Sequence, residues 1–370
     1  MKLSRRVMIK MAGALSLLAA LRPRGARAQT PAQPASPAPA TPPVIFVHGN
    51  GDTAALWITT VWRFESNDWP ADRLFAINFT DPLARAVDAE AQPGRSSTGD
   101  QMRELAALVE SVKARTGEAK VALVASSRGG YAARNYAMTG DNAKNLSHVV
   151  LCGTPNHGVF AWEFAPGSEF NGRGPFLQRL NGSGDSEVVP GVPFLTIRSE
   201  ANDKFAQADG KALGRPGVPT GVTPEGPALK GAANVALPLL DHREVAFHPR
   251  AFREIYKFIA GREPARIAVA PDPAVTLDGL VTGNPGNVPT NRPVADAAVE
   301  VWRVSADTGE RIGDMTHRRI TGEDGRWGPV VVEDDWALEF VVSAPGYGAT
   351  HIYRSPFARS TRPTRAPAPC

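Results

Sequence analysis

Between residues 44 and 262, short runs that are apolar at every position alternate with longer segments whose apolar residues recur at helical spacing. Few folds accommodate that pattern, because a strand that is apolar on both faces has to be covered on both faces. The runs 44–47, 74–79, 121–125, 149–152 and 194–197 read as buried strands, with 235–239 as a weaker one. Residues 98–116 carry Met102, Leu105, Leu108, Val109 and Val112 at helical spacing. A helix is predicted from about Gly129 to Met138, and Phe252, Ile255, Tyr256 and Ile259 give a closing amphipathic helix ended near Gly261. The expectation is an α/β domain over 44–262, a mostly parallel sheet with helices on both faces.

After Pro264 the period changes to two, in Val299, Val301 and Arg303 and in the runs 330–332, 338–342 and 352–353. Turn clusters separate them, such as Thr321-Gly322-Glu323-Asp324-Gly325 and Pro345-Gly346-Tyr347-Gly348. This predicts a small all-β domain over 277–358, a β-sandwich or barrel, behind a linker at 263–276 and before a disordered tail at 359–370. Trp302, Trp327 and Trp336 suffice to build a core of that size, which favours a packing role over adsorption to lipid or polymer.

The charge balance argues against nucleic acid as a partner. The chain has 41 basic and 37 acidic residues, but seven of the basic ones lie in residues 1–28, where no acidic residue occurs; the remainder holds 34 basic against 37 acidic, a net of −3. Those 28 residues read as a signal peptide: Ser4-Arg5-Arg6-Val7-Met8-Ile9-Lys10, an eleven-residue apolar run from Met11 to Leu21, and Ala26-Arg27-Ala28 as the cleavage site. The run is too short for the ~20 residues that cross a bilayer, and the Arg pair resembles a twin-arginine export signal. A secreted or periplasmic protein without a transmembrane anchor is expected, with a Pro/Ala-rich linker at 29–43. Of the two cysteines, Cys152 sits in an apolar run as a buried structural thiol and Cys370 ends the tail; neither spacing suggests a metal site or disulfide framework.

The motif with the most chemistry is Val121-Ala122-Leu123-Val124-Ala125-Ser126-Ser127-Arg128-Gly129-Gly130-Tyr131: an apolar strand, a Ser in a tight turn, then small residues opening a helix. Such a turn projects the Ser127 hydroxyl above the sheet, and small neighbours let strand and helix approach closely. Alone, the motif fits equally well a serine that caps a helix. The rest of the set shifts the balance. Val44-Ile45-Phe46-Val47-His48-Gly49-Asn50-Gly51 runs a buried strand into a His-Gly turn, and the amides of Asn50 and Arg128 become the two candidate donors of an oxyanion hole. His48 reads as a packed structural histidine. Asp203, after the strand 194–197, is the candidate acid, with Glu200 and Asp209 as rivals. His242, after the weak strand, is the candidate base; His248 reads as the entry to the closing helix, His157 comes too early, and Asp241 shapes the loop. The order Ser127, Asp203, His242 is that of hydrolases with a nucleophile elbow.

With these residues in place, the chain resembles the α/β-hydrolase superfamily, and more narrowly bacterial and archaeal lipases and esterases with an extra C-terminal β domain. The resemblance rests on His48-Gly49, the Ser127 elbow, Gly153-Thr154-Pro155-Asn156-His157-Gly158, the Asp203 and His242 loops, and the run from Phe247 to Gly261. It implies hydrolysis of carboxylic esters without cofactor or catalytic metal, through a Ser127–His242–Asp203 triad; a structural Ca²⁺ stays open. Phe160, Trp162 and Phe164, in an irregular aromatic segment, are candidate substrate-binding residues for a lipid or other ester substrate. Residues 206–231 form a second rim insertion. The alternatives are a polyester depolymerase of the polyhydroxyalkanoate type and a non-catalytic hydrolase-fold binding module.

Overall fold

The computed structural model describes residues 41–361 except 183, 201 and 214. The expected export leader, the linker as far as residue 40 and the tail beyond 361, with Cys370, lie outside the described residues. In chain order the first part consists of β1 (Val44–Val47), α1 (Ile58–Glu65), β2 (Leu74–Ala76), β3 (Leu83–Ala84), β4 (Arg95–Ser96), α2 (Thr98–Thr116), β5 (Val121–Ser126) and α3 (Arg128–Met138). β6 (Leu146–Cys152), α4 (Pro175–Asn181), β7 (Phe194–Arg198), β8 (Ala233–Ala236), α5 (Glu244–Phe247) and α6 (Pro249–Ala260) follow. Six strands form one sheet in the order β2-β1-β5-β6-β7-β8, every neighbouring pair parallel.

Side chains of the apolar strands alternate between two cores, as their period of two requires. Ile45, Val47, Leu123 and Leu151 face α2 and α3 through Leu105, Leu108, Val109 and Ala133. Val44, Phe46, Val124 and Val150 face the other way, toward Phe252, Ile255, Tyr256 and Ile259 of α6 and Phe64 of α1. α2 starts from a capping box, Ser97 and Asp100 each satisfying the other's backbone N–H, and stops at Gly117, whose φ of 72° is the left-handed C-terminal signal. α3 is buried from Arg128 to Ala137, so its composition of Gly and Ala with Arg128, Arg134, Asn135 and two tyrosines reflects close packing on all sides rather than an amphipathic face.

Several strand limits differ from the sequence expectation, each for a local reason. β2 ends at Ala76 because, after Ile77 donates to the Phe46 carbonyl at 3.0 Å, the chain bends so that the Phe79 N–H reaches His48 instead. β8 lies at Ala233–Ala236 instead of 235–239: it is the exposed edge of the sheet, where hydrogen bonding to β7 decides the limits and apolar content does not.

The C-terminal part holds β9 (Val275–Leu277), β10 (Ala298–Val304), β11 (His317–Ile320), β12 (Val330–Val332), β13 (Ala337–Ser343) and β14 (Thr350–Arg354). β11-β10-β13-β14 form an antiparallel sheet and β12-β9 an antiparallel pair, and the two share a core of Val275, Leu277, Val299, Val301, Leu338 and Phe340. Trp327 packs on Phe340 with ring centroids 5.3 Å apart. Two boundary expectations need correction. Val275 and Thr276, assigned to the linker, belong to β9, because their N–H and C=O groups complete the pairing with β12. Arg359, Ser360 and Thr361, assigned to a disordered tail, are tied down: Arg359 pairs with Glu65 and Asp272 and donates to the Ala270 carbonyl, Trp62 donates to the Ser360 carbonyl at 2.9 Å, and Thr361 donates to the Thr276 carbonyl at 2.9 Å. No helix among the described residues is long and apolar enough to cross a membrane.

His48, at the end of β1, has no exposed surface. Its Nδ1 lies 2.9 Å from the Gly49 carbonyl and its Nε2 3.1 Å from the Phe79 N–H. An acceptor on one side and a donor on the other select the neutral ring protonated at Nδ1. Burial holds its pKa down to about 4. Because the unfolded ring titrates near 6.5, the unfolded chain binds a proton that the folded one refuses as pH falls from 6.5 to 4; this part of the stability is complete above 6.5 and lost below it. The expected loss is about 3 kcal/mol across that window. Urea unfolding of wild type and His48→Gln at pH 7 and pH 4 checks it: wild type should lose about 3 kcal/mol more than the variant.

Candidate functional site

The carboxyl ends of β1, β5, β6 and β7 stand side by side, through pairings such as Val47 with Ala125, Ser126 with Cys152, and Cys152 with Ile197. In open parallel sheets this is the edge at which loops from several strands converge on one point. The residues leaving it are His48, Ser127, Gly153 and Ser199.

Ser127 joins β5 to α3 with φ 52° and ψ −124°, a conformation an L-residue adopts only when its surroundings impose it, at a cost of about 1–3 kcal/mol. Two glycines make the turn sterically feasible. A Cβ on Gly129 would lie 2.5 Å from the His48 carbonyl oxygen, and one on Gly130 would lie 2.0 Å from Thr154 Oγ1. The first small residue of the motif, Ala125, is fully buried and accommodated.

Ser127 is half-exposed, and its Oγ lies 2.9 Å from His242 Nε2. The other ring nitrogen, Nδ1, lies 2.9 and 3.0 Å from the two Asp203 carboxylate oxygens. Asp203 and His242 are buried. The structure thus brings Ser127, His242 and Asp203 into one hydrogen-bonded line from three loops. Each partner is fixed in turn. Asp203 also accepts from the Phe205 N–H at 2.9 Å, and the Phe205 ring meets the His242 ring edge-on at 4.6 Å. Asp241 accepts from the N–H groups of Arg243 and Glu244, which shapes the loop that presents His242.

The competing residues stand elsewhere. His248 caps α6, its Nδ1 accepting from Arg250. His157 lies against the Gly226 carbonyl and Glu187. The Asp209 carboxylate pairs with Lys211, and Glu200 is exposed. Cys152 is a free, buried thiol whose pKa burial pushes up.

The two candidate oxyanion donors flank Ser127. Arg128 is the next residue along the chain. The loop carrying Asn50 abuts the elbow so closely that a Cβ on Gly49 would lie 2.9 Å from Ser127 Cβ. The Asn50 side chain is engaged, its Oδ1 accepting from the Ala84 N–H at 2.7 Å.

Sequence reasoning attended to the Arg128 backbone and missed its side chain. That guanidinium is fully buried; it grips Glu169 through Nε at 2.5 Å and Nη2 at 2.8 Å, and donates to the Ser96 and Pro82 carbonyls at 2.7 and 3.1 Å. Burial pushes the Glu169 carboxyl up, and Arg128 opposes that rise. Arg134, six residues further along α3, is buried in the same way, with its pKa lowered by burial to about 10, and donates to Asn156, Asn181 and the Leu180 carbonyl. An Arg immediately after the candidate serine, with a Glu in the aromatic segment, was the available signal, but nothing in the spacing paired them.

Phe160, Trp162 and Phe164 form a ladder of stacked rings with centroids 4.5 and 4.6 Å apart, and Phe164 is 55% exposed. Arg215, from the 206–231 insertion, lies over Trp162 at 5.6 Å, and Trp162 Nε1 donates to the Pro219 carbonyl. Hydrogen bonds connect the ladder to the acid loop: the Ala161 N–H donates to the Thr220 carbonyl, the Thr220 hydroxyl to the Gln207 carbonyl, and the Gln207 side-chain amide to the Asp203 carbonyl.

Comparison with known proteins adds family information. Residues 41–159 match the lipase (class 2) family and residues 273–366 the lipase C-terminal domain. No curated protein matches the chain. Among solved structures it is similar to Aspergillus fumigatus lipase B (17% identity, TM-score 0.43), with 61% of this chain and 54% of that one covered, so it spans about half the length of that lipase. It is also similar to a Bacillus licheniformis lipase in propeptide form (17% identity, TM-score 0.43, covering 88% of this chain and 77% of that one). A Bacillus subtilis carboxylesterase shares 14% identity at a TM-score of 0.33, covering 60% and 85%. The chain thus joins a segment that matches the lipase (class 2) family to a second that matches the lipase C-terminal domain.

Proposed function

We propose that the protein is an exported serine ester hydrolase, a lipase or carboxylesterase. The observation that carries this reading is the unbroken line from Ser127 Oγ through His242 to the buried Asp203 carboxylate. At 2.9 Å, His242 Nε2 is placed to take the hydroxyl proton as Ser127 attacks the ester carbonyl. Asp203 holds the ring with its second nitrogen as donor and stabilises the imidazolium that forms. The negative charge on the carbonyl oxygen would be met by the N–H groups of Asn50 and Arg128, at the start of α3. His242 returns the proton to the leaving alcohol. Water, activated by the same imidazole, then cleaves the acyl-enzyme, so that the ester is converted to acid and alcohol and Ser127 is regenerated.

Export rests on the sequence of residues 1–28. The three-ring ladder is proposed as the acyl-contact surface, because stacked and partly exposed rings offer apolar area at low entropic cost next to the loop that carries Asp203.

Two measurements test these roles. With p-nitrophenyl esters from acetate to palmitate, Ser127→Ala should lower kcat by about 10⁴-fold or more, and Asp203→Asn by about 10³- to 10⁴-fold. Ester hydrolysis retained by Ser127→Ala would overturn the assignment, and no turnover by wild type would favour the binding-module reading. Trp162→Ala should raise KM for palmitate about tenfold while leaving acetate unchanged, since only the long chain can reach the ladder. An equal effect on both esters would remove the ladder from acyl binding.

A further inference from the structure

The loop after β1, which carries the proposed Asn50 donor, is held from one side by a residue of the C-terminal part. Asn291 lies between β9 and β10, 243 positions from His48 in sequence, and is only 8% exposed. Its Nδ2 donates to the Phe79 carbonyl at 2.8 Å and the Asp52 carbonyl at 3.2 Å, and lies 3.5 Å from His48 Nε2. Its own N–H donates to the Thr80 carbonyl at 3.0 Å. Two carbonyl oxygens facing the same end of the amide fix that end as the nitrogen.

Asn291 therefore fastens two segments together. One is Phe79, whose N–H holds the His48 ring. The other is Asp52, which closes the Gly49–Asp52 turn through its N–H on the Gly49 carbonyl at 3.4 Å. Asn50 lies inside that turn. We infer that Asn291 is a positioning residue for ester hydrolysis: from the C-terminal domain it fixes the turn that aims the Asn50 N–H at the developing oxyanion. The inference rests on the proposed reading of Asn50. Loss of an oxyanion donor lowers kcat by about 10²–10³, and a donor displaced by about an ångström loses a part of that. Charge on the oxygen appears only in the transition state, so the loss falls on kcat and spares KM.

The experiment uses the full chain and p-nitrophenyl butyrate. Asn291→Ala should lower kcat ten- to hundredfold with KM within about threefold of wild type. Arg292→Ala removes the neighbouring exposed ion pair with Asp81, at 2.7 Å, and should leave kcat unchanged. Asn291→Asp adds a signature that a purely structural role would not produce. An ionised carboxylate repels the Phe79 and Asp52 carbonyls, whereas the protonated acid donates to them; its kcat relative to wild type should therefore rise from pH 8 to pH 5, while the ratio for Asn291→Ala stays flat. The titratable and charged groups around the site, the neutral His48 with Asp52, Asp81, Arg128 and Arg292, are common to variant and wild type.

Wild-type kcat in Asn291→Ala, a loss carried by KM, or an equal loss in Arg292→Ala would overturn the inference. Should Asn291→Ala fail to fold, a flat ratio for Asn291→Asp overturns it. Ester hydrolysis surviving in Ser127→Ala would remove the parent reading; an inactive Ser127→Ala beside a fully active Asn291→Ala removes only this one.

Discussion

The Arg128–Glu169 pair is the interaction on which the arrangement around Ser127 depends. Both side chains are almost wholly inaccessible, and two parallel N–H···O bonds join them. Burying such a pair brings little net stability, because desolvation takes back most of the attraction, yet removing one partner strands a charge and costs about 3–5 kcal/mol. Its structural consequence is larger than its net energy. Arg128 is the first residue of α3 and follows the strained Ser127, so its side chain ties the elbow to Glu169 in the aromatic segment and to the carbonyls of Pro82 and Ser96. Three separate segments are thereby referred to one point, and the φ of 52° at Ser127 has a framework that can hold it.

The same logic extends along α3. A helix buried over ten residues cannot satisfy polar side chains with water, so Arg134 and Asn135 must find partners in the protein. Arg134 finds carbonyl and amide oxygens in the last turn of α4, on Leu180 and Asn181, and a further one on Asn156, and burial lowers its pKa without leaving it unpartnered. The helix is thus oriented by polar anchors, while Gly129, Gly130, Ala132 and Ala133 set its distance from the sheet. Helix and sheet then approach closely enough for the end of β1 to touch the elbow, with Gly49 against Ser127.

What could be read from sequence follows from this division. The central strands were legible because they are apolar throughout, and α2 and α6 because each keeps one apolar face. Ser127, Asp203 and His242 were legible as a group because each follows a strand run, and parallel strands end on one edge. α1 was not: Phe64 packs with Trp69 in an aromatic cluster whose other partners, Phe252 and Tyr256, come much later in the chain. Arg128 with Glu169, Phe205 against His242, and Asn291 were illegible for the same reason. Each contact is chemically ordinary for its residue type and specific only through a partner distant in sequence. The residues expected to be a tail show the converse case: Arg359 lies in a polar, Pro-flanked stretch, and charge pairing with Glu65 and Asp272 supplies the order that composition alone does not.

The distribution of exposure around the candidate site separates the tasks of its groups. Ser127 is half-open, while the groups that orient it, His242, Asp203, His48 and Arg128, are buried. In the proposed role the His242 imidazole changes charge and uses a fixed carboxylate behind it, and burial with two oxygens at 2.9 and 3.0 Å fixes Asp203 without recourse to water. His48 illustrates the opposite use of the same side chain. Kept neutral by burial and by a donor at Nε2, it acts as a rigid hydrogen-bonded spacer between β1 and Phe79, and adds no charge beside the proposed oxyanion site. Two histidines at one sheet edge thus serve different ends: one faces a carboxylate and a hydroxyl, the other a carbonyl and an amide N–H.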